Sequence, residues 1–242
     1  MLNKLKRLLR RKPAEPHCSV VVVAAGSSER MGTDKMLMEL SGLPVLVRNL
    51  MAFQKSPVVD DIVVVTKSDK LETVADMVHE HQLDKVSQVL VGGATRMESA
   101  LVGVSNLKKG RRLVAIHDGA RPLVTQELIK RVVDAANEHM SAVPAIPSTD
   151  TLKLRDPEGF VAGPLDRDQI VRVQTPQVFD ADMIKGALTK AVEDGLPLTD
   201  DCSAMDMMGI KTKLVEGDPD NIKLTGPQDI TLAEAILKGR GE

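Results

Sequence analysis

Apolar residues run through this chain in two rhythms. Val20-Val21-Val22-Val23 and Ile62-Val63-Val64-Val65 are unbroken β-branched runs, too short for a helix and apolar on both sides, so they predict strands buried within a parallel sheet. Leu43 to Lys55 instead sets Val47, Leu50 and Met51 at helical spacing. A helix over Lys70 to His81, strands over Val86 to Val91 and Leu113 to Ile116, a helix over Gln126 to His139 and a strand over Ala142 to Ile146 follow. This alternation predicts an α/β fold, a mostly parallel sheet wrapped by helices. Ligands of such sheets bind beyond the carboxyl ends of the strands.

After Ile146 the rhythm changes. Thr151-Leu152-Lys153-Leu154-Arg155 and Phe160-Val161 flank Asp156-Pro157-Glu158-Gly159, whose proline and glycine supply turn chemistry, so the stretch predicts a hairpin. A hairpin projecting from a parallel sheet leaves edges to be covered, and a second subunit is one such cover. A helix over Asp182 to Glu193, a helix N-cap at Thr199, a late strand over Lys211 to Glu216 and a helix over Pro227 to Leu237 complete the chain. The expected organisation is one domain over 18–242 with an arm over about 148–173. Residues 1–17 carry six Lys/Arg and two prolines. They read as a basic leader outside the fold, solvated or in contact with anionic lipid or another protein, and no apolar run long enough for a signal peptide or a membrane span follows.

Composition narrows the partners. With 32 Lys/Arg against 34 Asp/Glu, three Phe and no Trp or Tyr, nucleic acid is disfavoured, because it calls for a basic face and aromatic platforms. Cys18 and Cys202 are too few for a disulfide framework and lack metal-ligand spacing, which predicts reduced core thiols in a cytoplasmic protein. His79 and His81, two residues apart, share no helix face and read as surface residues.

The candidate chemistry sits where strands end. Val20–Val23 breaks at Ala24-Ala25-Gly26-Ser27-Ser28, small residues that let backbone N–H groups approach an anion, and Arg30 and Lys35 follow as cations able to fold over a phosphate chain. The stretch misses both the spacing and the Lys-Ser/Thr pair of a Walker A loop, and Ser28 stands where a dinucleotide fingerprint has its second glycine. An ordinary βα turn with surface cations is the plain alternative. Gly92-Gly93-Ala94-Thr95-Arg96-Met97-Glu98-Ser99 is a second glycine turn, either a simple helix start or a tight pocket that reads a pyrimidine through backbone groups and the Ser99 hydroxyl. In His117-Asp118-Gly119-Ala120-Arg121-Pro122, Asp118 and Arg121 either hold the hydroxyls and the phosphate of one substrate or pair with each other.

Several of these stretches carry a family signature. Ala24 to Lys35 resembles A-A-G-x-G-x-R-M…K of nucleotidyltransferases, His117 to Pro122 resembles H-D-x-A-R-P, Gln174 to Phe179 resembles Q-T-P-Q-x-F, Thr199 to Ser203 resembles T-D-[DE]-x-S, and Glu216 to Thr225 resembles E-G-x-x-x-N-I-K-[IL]-T. In this order the motifs are similar to those of the polyol-phosphate cytidylyltransferases, above all the 2-C-methyl-D-erythritol 4-phosphate cytidylyltransferases of the non-mevalonate isoprenoid pathway. The resemblance implies a single-domain Rossmann-like nucleotidyltransferase fold whose hairpin arm is exchanged in a homodimer. It implies transfer of CMP from CTP to the acceptor with release of pyrophosphate, with ribitol 5-phosphate as the alternative acceptor and a non-catalytic nucleotide-binding subunit as a remote one. It assigns catalysis to Arg30, Lys35, Arg167 and Lys223, nucleotide contacts to Ala24, Ala25, Gly26, Ser27, Gly92, Gly93, Ala94, Ser99 and Gly119, and acceptor contacts to Asp118, Arg121, Thr151, Thr175 and Thr199. Thr151 and Arg167, on the arm, would complete the partner's site. Mg²⁺ is expected to ride mainly on the CTP phosphates, with no protein ligand assigned.

Overall fold

The structure is a computed structural model that describes residues 16–26 and 34–242. Strands β1 (Cys18–Val23), β4 (Val59–Thr66), β5 (Val86–Val91), β6 (Leu113–Asp118) and β7 (Ser141–Pro147) contain the five strands expected from the sequence, and β2 (Glu39–Leu40) and β3 (Leu43–Pro44) form a small separate hairpin. The main sheet has eight strands, adding β10 (Val171–Val173), β11 (Gln177–Asp180) and β12 (Lys213–Glu216) in the order β10-β7-β11-β6-β1-β4-β5, with β12 also on β7. Pairings of β1 with β4 and β6, of β4 with β5, and of β12 with β7 are parallel. Strand β11 runs antiparallel between β6 and β7, and β10 antiparallel beside β7. The expected mostly parallel α/β sheet is therefore present, with two reversed strands that local patterning did not predict.

Because β1 is buried on both faces, alternate residues feed two cores. Val20, Val22, Ile62 and Val64 meet Leu46, Leu50 and Phe53 of α1 (Val45–Gln54), Val74 of α2 (Leu71–Glu80) and Leu128, Val132 and Ala136 of α4 (Gln126–His139). Val21, Val63 and Val65 on the opposite side meet Ala100 and Val104 of α3 (Arg96–Ser105), Ile184 and Leu188 of α5 (Ala181–Glu193), and Met205 of α6 (Asp201–Met207). A third cluster joins Leu40, Val45 and Leu224 to Ala233 and Leu237 of α7 (Pro227–Arg240), anchoring the segment that carries Lys223. Burying one such aliphatic side chain is worth about 1.5–3 kcal/mol, so the strand tips stand on a stiff base.

The hairpin is present as β8 (Lys153–Arg155) antiparallel to β9 (Val161–Pro164), in a sheet of its own. It is apolar and exposed, with Leu154, Phe160 and Val161 at 51%, 72% and 69% exposure. Val171–Val173, the last residues of the span expected to form an arm, pairs with Pro147, Ile146 and Ala145 in the main sheet. The cap of α6 is also corrected: Asp200, not Thr199, accepts the Ser203 N–H at 3.1 Å. Among the described residues no helix is long and apolar enough to cross a membrane. Cys18 is buried, its thiol pushed up to about 12 by burial and by Asp60 and Asp61, and Cys202 is half-buried; both are free thiols.

Candidate active site

Three strand ends are laced together by backbone bonds that continue past the strands. Ala24 N–H donates to Val65 O at 2.7 Å, Gly92 N–H to Thr66 O at 2.8 Å, and Gly119 N–H to Val23 O at 2.9 Å. The two glycine turns and the His117–Pro122 turn therefore form adjoining walls of one crevice of about 560 Å³. Of the residues expected to bind nucleotide, Ala25, Gly26, Gly93, Ala94 and Ser99 line it, together with Lys35, Asp118 and Lys223. Ala24, Gly92 and Gly119 are not among the lining residues. At Gly92 a Cβ would fall 2.6 Å from Ser99 Oγ and 2.9 Å from Ala25 Cβ, so only a residue without a side chain lets the two loops approach this closely. Ser27 and Arg30, like most of the basic leader, lie outside the described residues.

Asp118 is the electrostatic centre of the site. Its Oδ1 accepts from Arg96 Nε at 3.0 Å, and its Oδ2 pairs with Lys223 Nζ at 2.7 Å. Burial works against its charge, but Arg96 and Lys223, with Arg121 nearby, hold the carboxyl well below the usual carboxylate range. Asp118 and Arg121, the alternative ion pair of the sequence reading, are thus engaged elsewhere: the Arg121 guanidinium donates to Asn221 O at 2.7 Å. Burial pulls Arg121 down, and its Nε is buried without a partner among the described residues.

Behind this turn lies a neutral hydrogen-bond relay. Asp118 N–H donates to Thr175 Oγ1 at 3.1 Å, and Thr175 Oγ1 lies 3.0 Å from His117 Nδ1. His117 Nε2 lies 3.1 Å from Arg121 O, a carbonyl that can only accept, which assigns the proton to Nε2 and makes Nδ1 the acceptor of the Thr175 hydroxyl. Burial lowers His117 to about 3, so the ring is neutral. Asn49 of α1 bonds the carbonyls of Asp118, Gly119 and Arg121 from below. The Thr175 hydroxyl is therefore committed to holding the Asp118 backbone.

A smaller pocket of about 120 Å³ adjoins the crevice and shares Arg96, Asp118 and Lys223 with it. Arg121, Thr175 and Thr199 line this second pocket. Thr151 and Arg167 are exposed on the arm, and Arg167 lines a separate hollow with Ser148 and Asp168, so the described chain does not bring them to its own crevice. Two lining cations, Lys67 and Arg96, were missed by sequence reasoning. Lys67 carries no distinguishing signal. Arg96 does: a cation as the first residue of a helix faces the positive end of the macrodipole, which asks for a compensating anion. Among the described residues no cluster of three or more acidic, His or Cys side chains suits a metal ion. Asp118 is a carboxylate on the crevice wall, which fits a cation carried in on substrate phosphates and shared with one or two carboxylates.

A cation-rich, glycine-lipped crevice at the carboxyl ends of a mostly parallel α/β sheet suits a nucleotide phosphate chain, as a nucleotidyltransferase requires, and comparison with known proteins supplies the class. A family model for 2-C-methyl-D-erythritol 4-phosphate cytidylyltransferase matches residues 18–239. The chain is 41% identical over 222 residues to the protein of that name from Symbiobacterium thermophilum, covering 91% of this chain and 92% of the relative. It is 40% identical over 223 residues to its namesake from Caldanaerobacter subterraneus subsp. tengcongensis, covering 91% and 98%. The solved 4-diphosphocytidyl-2C-methyl-D-erythritol synthase of Anaerococcus prevotii superposes with a TM-score of 0.82 at 28% identity, covering 93% and 97%. The cytidylyltransferase of Thermus thermophilus gives 0.75 at 30%, covering 92% and 99%. The chain belongs to the 2-C-methyl-D-erythritol 4-phosphate cytidylyltransferase family.

Proposed function

We propose that the large crevice takes CTP, the smaller pocket takes the acceptor, and Asp118 and Lys223 stand at the junction where the two react. The reaction is transfer of CMP from CTP to 2-C-methyl-D-erythritol 4-phosphate, releasing pyrophosphate and giving 4-diphosphocytidyl-2-C-methyl-D-erythritol, a step of non-mevalonate isoprenoid synthesis. The observation that carries the division of labour is that the crevice and the pocket share Arg96, Asp118 and Lys223.

A phosphate monoester oxygen attacks the α-phosphorus of CTP, and the bond to the bridging oxygen breaks in line, its electron pair leaving on pyrophosphate. With a second pKa near 6 the attacking phosphate is already mostly dianionic at neutral pH, so no general base is needed. What the protein supplies is position and positive charge where two anions meet. Lys35, with Arg30 from the first loop, stabilises the charge that grows on the α-phosphate and pyrophosphate, and Lys223 aims the acceptor phosphate. Asp118, kept ionised, accepts acceptor hydroxyls, with Arg121 and Thr199 toward its phosphate. Asp118, on the crevice wall, would help hold a Mg²⁺ ion brought in with CTP, and the ion would supply further neutralisation of the triphosphate.

Choice of base follows from Ser99. Its hydroxyl hydrogen is given to Thr95 O at 2.9 Å, which leaves lone pairs to accept. An acceptor suits the exocyclic amine of cytosine and not the oxygen at the same place in uracil. The exposed apolar arm, carrying Thr151 and Arg167 away from its own crevice, is the part a second copy would cover, giving a homodimer in which each arm completes the other's site. We place the activity in the cytoplasm, with one catalytic domain over 18–242 and the leader outside it. The test is pyrophosphate release from CTP with Mg²⁺, offering 2-C-methyl-D-erythritol 4-phosphate and ribitol 5-phosphate separately. Turnover with the first and little with the second is expected. Absence of release with the first would overturn the assignment.

A further inference from the structure

Arg96 opens the helix that follows the nucleotide loop, so its place in the chain puts it with CTP. It does line that crevice, yet its guanidinium hydrogen bonds go to two carboxylates, Asp118 and Asp201, and it lines the smaller pocket as well. Thr95 caps α3 through a capping box, accepting the Glu98 N–H at 3.1 Å and donating its own N–H to Glu98 at 2.9 Å, so the helix start is satisfied without Arg96. The guanidinium instead reaches across the site. Nη1 and Nη2 fork onto the two oxygens of Asp201 at 2.9 and 2.8 Å, and Nε bonds Asp118 Oδ1 at 3.0 Å. Asp201 is 1% exposed, sits on the first turn of α6, and is itself positioned next to Asp200, which Gln177 of β11 holds at 3.1 Å. A planar guanidinium whose two terminal nitrogens are fixed has little freedom left at Nε.

We infer that Arg96, locked by Asp201, is a positioning residue for the acceptor side of the reaction, acting through Asp118. The inference rests on the reading that Asp118 receives acceptor hydroxyls. Each carboxylate oxygen of Asp118 has two lone-pair directions. Arg96 occupies one direction on Oδ1 and Lys223 one on Oδ2, and the remaining directions are thereby held in a fixed orientation. Arg96→Lys removes the planar fork that meets both Asp201 oxygens while Nε meets Asp118, so the fixed orientation at Asp118 is lost. Asn at 201 presents a donor to one prong of the fork and unlocks the guanidinium.

The test measures acceptor KM in the pyrophosphate-release assay and CTP affinity by calorimetry without acceptor, for Asp201→Asn, Arg96→Lys, Asp118→Asn and Arg96→Lys/Asp118→Asn. In Asp201→Asn and Arg96→Lys the acceptor KM is expected to rise about tenfold or more, as for loss of a charge-assisted bond, while CTP affinity stays within about threefold. The double variant should be no worse than Asp118→Asn alone, because Arg96 acts through that carboxylate. A purely structural role would move both constants together, and equal losses, or a larger loss for CTP, would overturn the inference. If Asp201→Asn does not fold, Arg96→Lys carries the same test. An Asp118→Asn protein with unchanged acceptor KM would remove the underlying reading of Asp118. A raised KM in that variant with normal values in Asp201→Asn and Arg96→Lys would remove only the role of Arg96.

Discussion

Replacing Gly92 with alanine puts a single methyl between the two glycine loops. The backbone at Gly92 is not in the left-handed region, so alanine meets no conformational penalty there and the whole effect comes from contact. That methyl would stand 2.6 Å from Ser99 Oγ, 2.9 Å from Ala25 Cβ and 3.1 Å from Val65 Cγ1. Carbon atoms rest roughly 3.5–4.0 Å apart, so Ala25 and the methyl must part by at least about half an ångström. Ser99 gives no easy relief, because its hydroxyl is tied to Thr95 O. Overpacking of this kind costs about 1–3 kcal/mol. If it is relieved by opening the crevice, CTP affinity falls about fivefold to a hundredfold. Calorimetric titration of CTP into Gly92→Ala, Ser99→Ala and the double variant reads this directly. Removing the Ser99 hydroxyl takes away the 2.6 Å contact, so the double variant should bind CTP better than the sum of the two losses predicts. Gly92→Ala binding CTP within twofold of the parent, or losses that simply add, would refute the reasoning.

Lys35→Ala should keep the fold, checked by circular dichroism, and lose about a hundredfold or more in kcat; near-normal turnover would remove Lys35 from its role. Mixing Arg167→Ala subunits with Lys35→Ala subunits should restore part of the lost activity if arms are exchanged, and no recovery in freely exchanging dimers would argue against sharing. Acid should weaken the fold through His117. Its ordinary value is about 6.5, and the folded value of about 3 means the unfolded chain takes the proton first. The stabilisation is therefore complete above about pH 6.5 and is lost as pH falls, by about 2 kcal/mol between pH 7 and pH 5 from this group. Urea unfolding of the parent and of His117→Gln at both pH values should show a shallower dependence in the variant, and identical dependence would sink the assignment.

Strands β1 and β4 were legible because each is a buried β-branched run with no helical period, and the loops that follow β1 and β5 were legible because glycine marks close approach. Strand β11 was hidden. It is four residues long, begins beside Pro176, and owes its place between β6 and β7 to pairings with residues about 60 and 40 positions away, which leave no local trace. The cap of α6 differs by one residue from the expectation because Thr199, Asp200 and Asp201 are all plausible caps, and the Gln177 contact to Asp200 is tertiary. Thr175 was legible as a site residue but not as a tie between Asp118 and a neutral imidazole. That function depends on a proton on His117 Nε2, which only the packed carbonyl of Arg121 assigns.

The lining of the crevice has a kinetic consequence. Among its described side chains are Lys35, Lys67, Arg96 and Lys223 against the single carboxylate of Asp118, on a chain whose overall balance is −2. A locally positive mouth on a faintly acidic body draws polyanions inward over roughly a Debye length, about 8 Å at physiological ionic strength. Capture of the triphosphate should therefore slow steeply with added salt. The same attraction acts on the diphosphate by-product, so its departure competes with the arrival of the next nucleotide for one doorway.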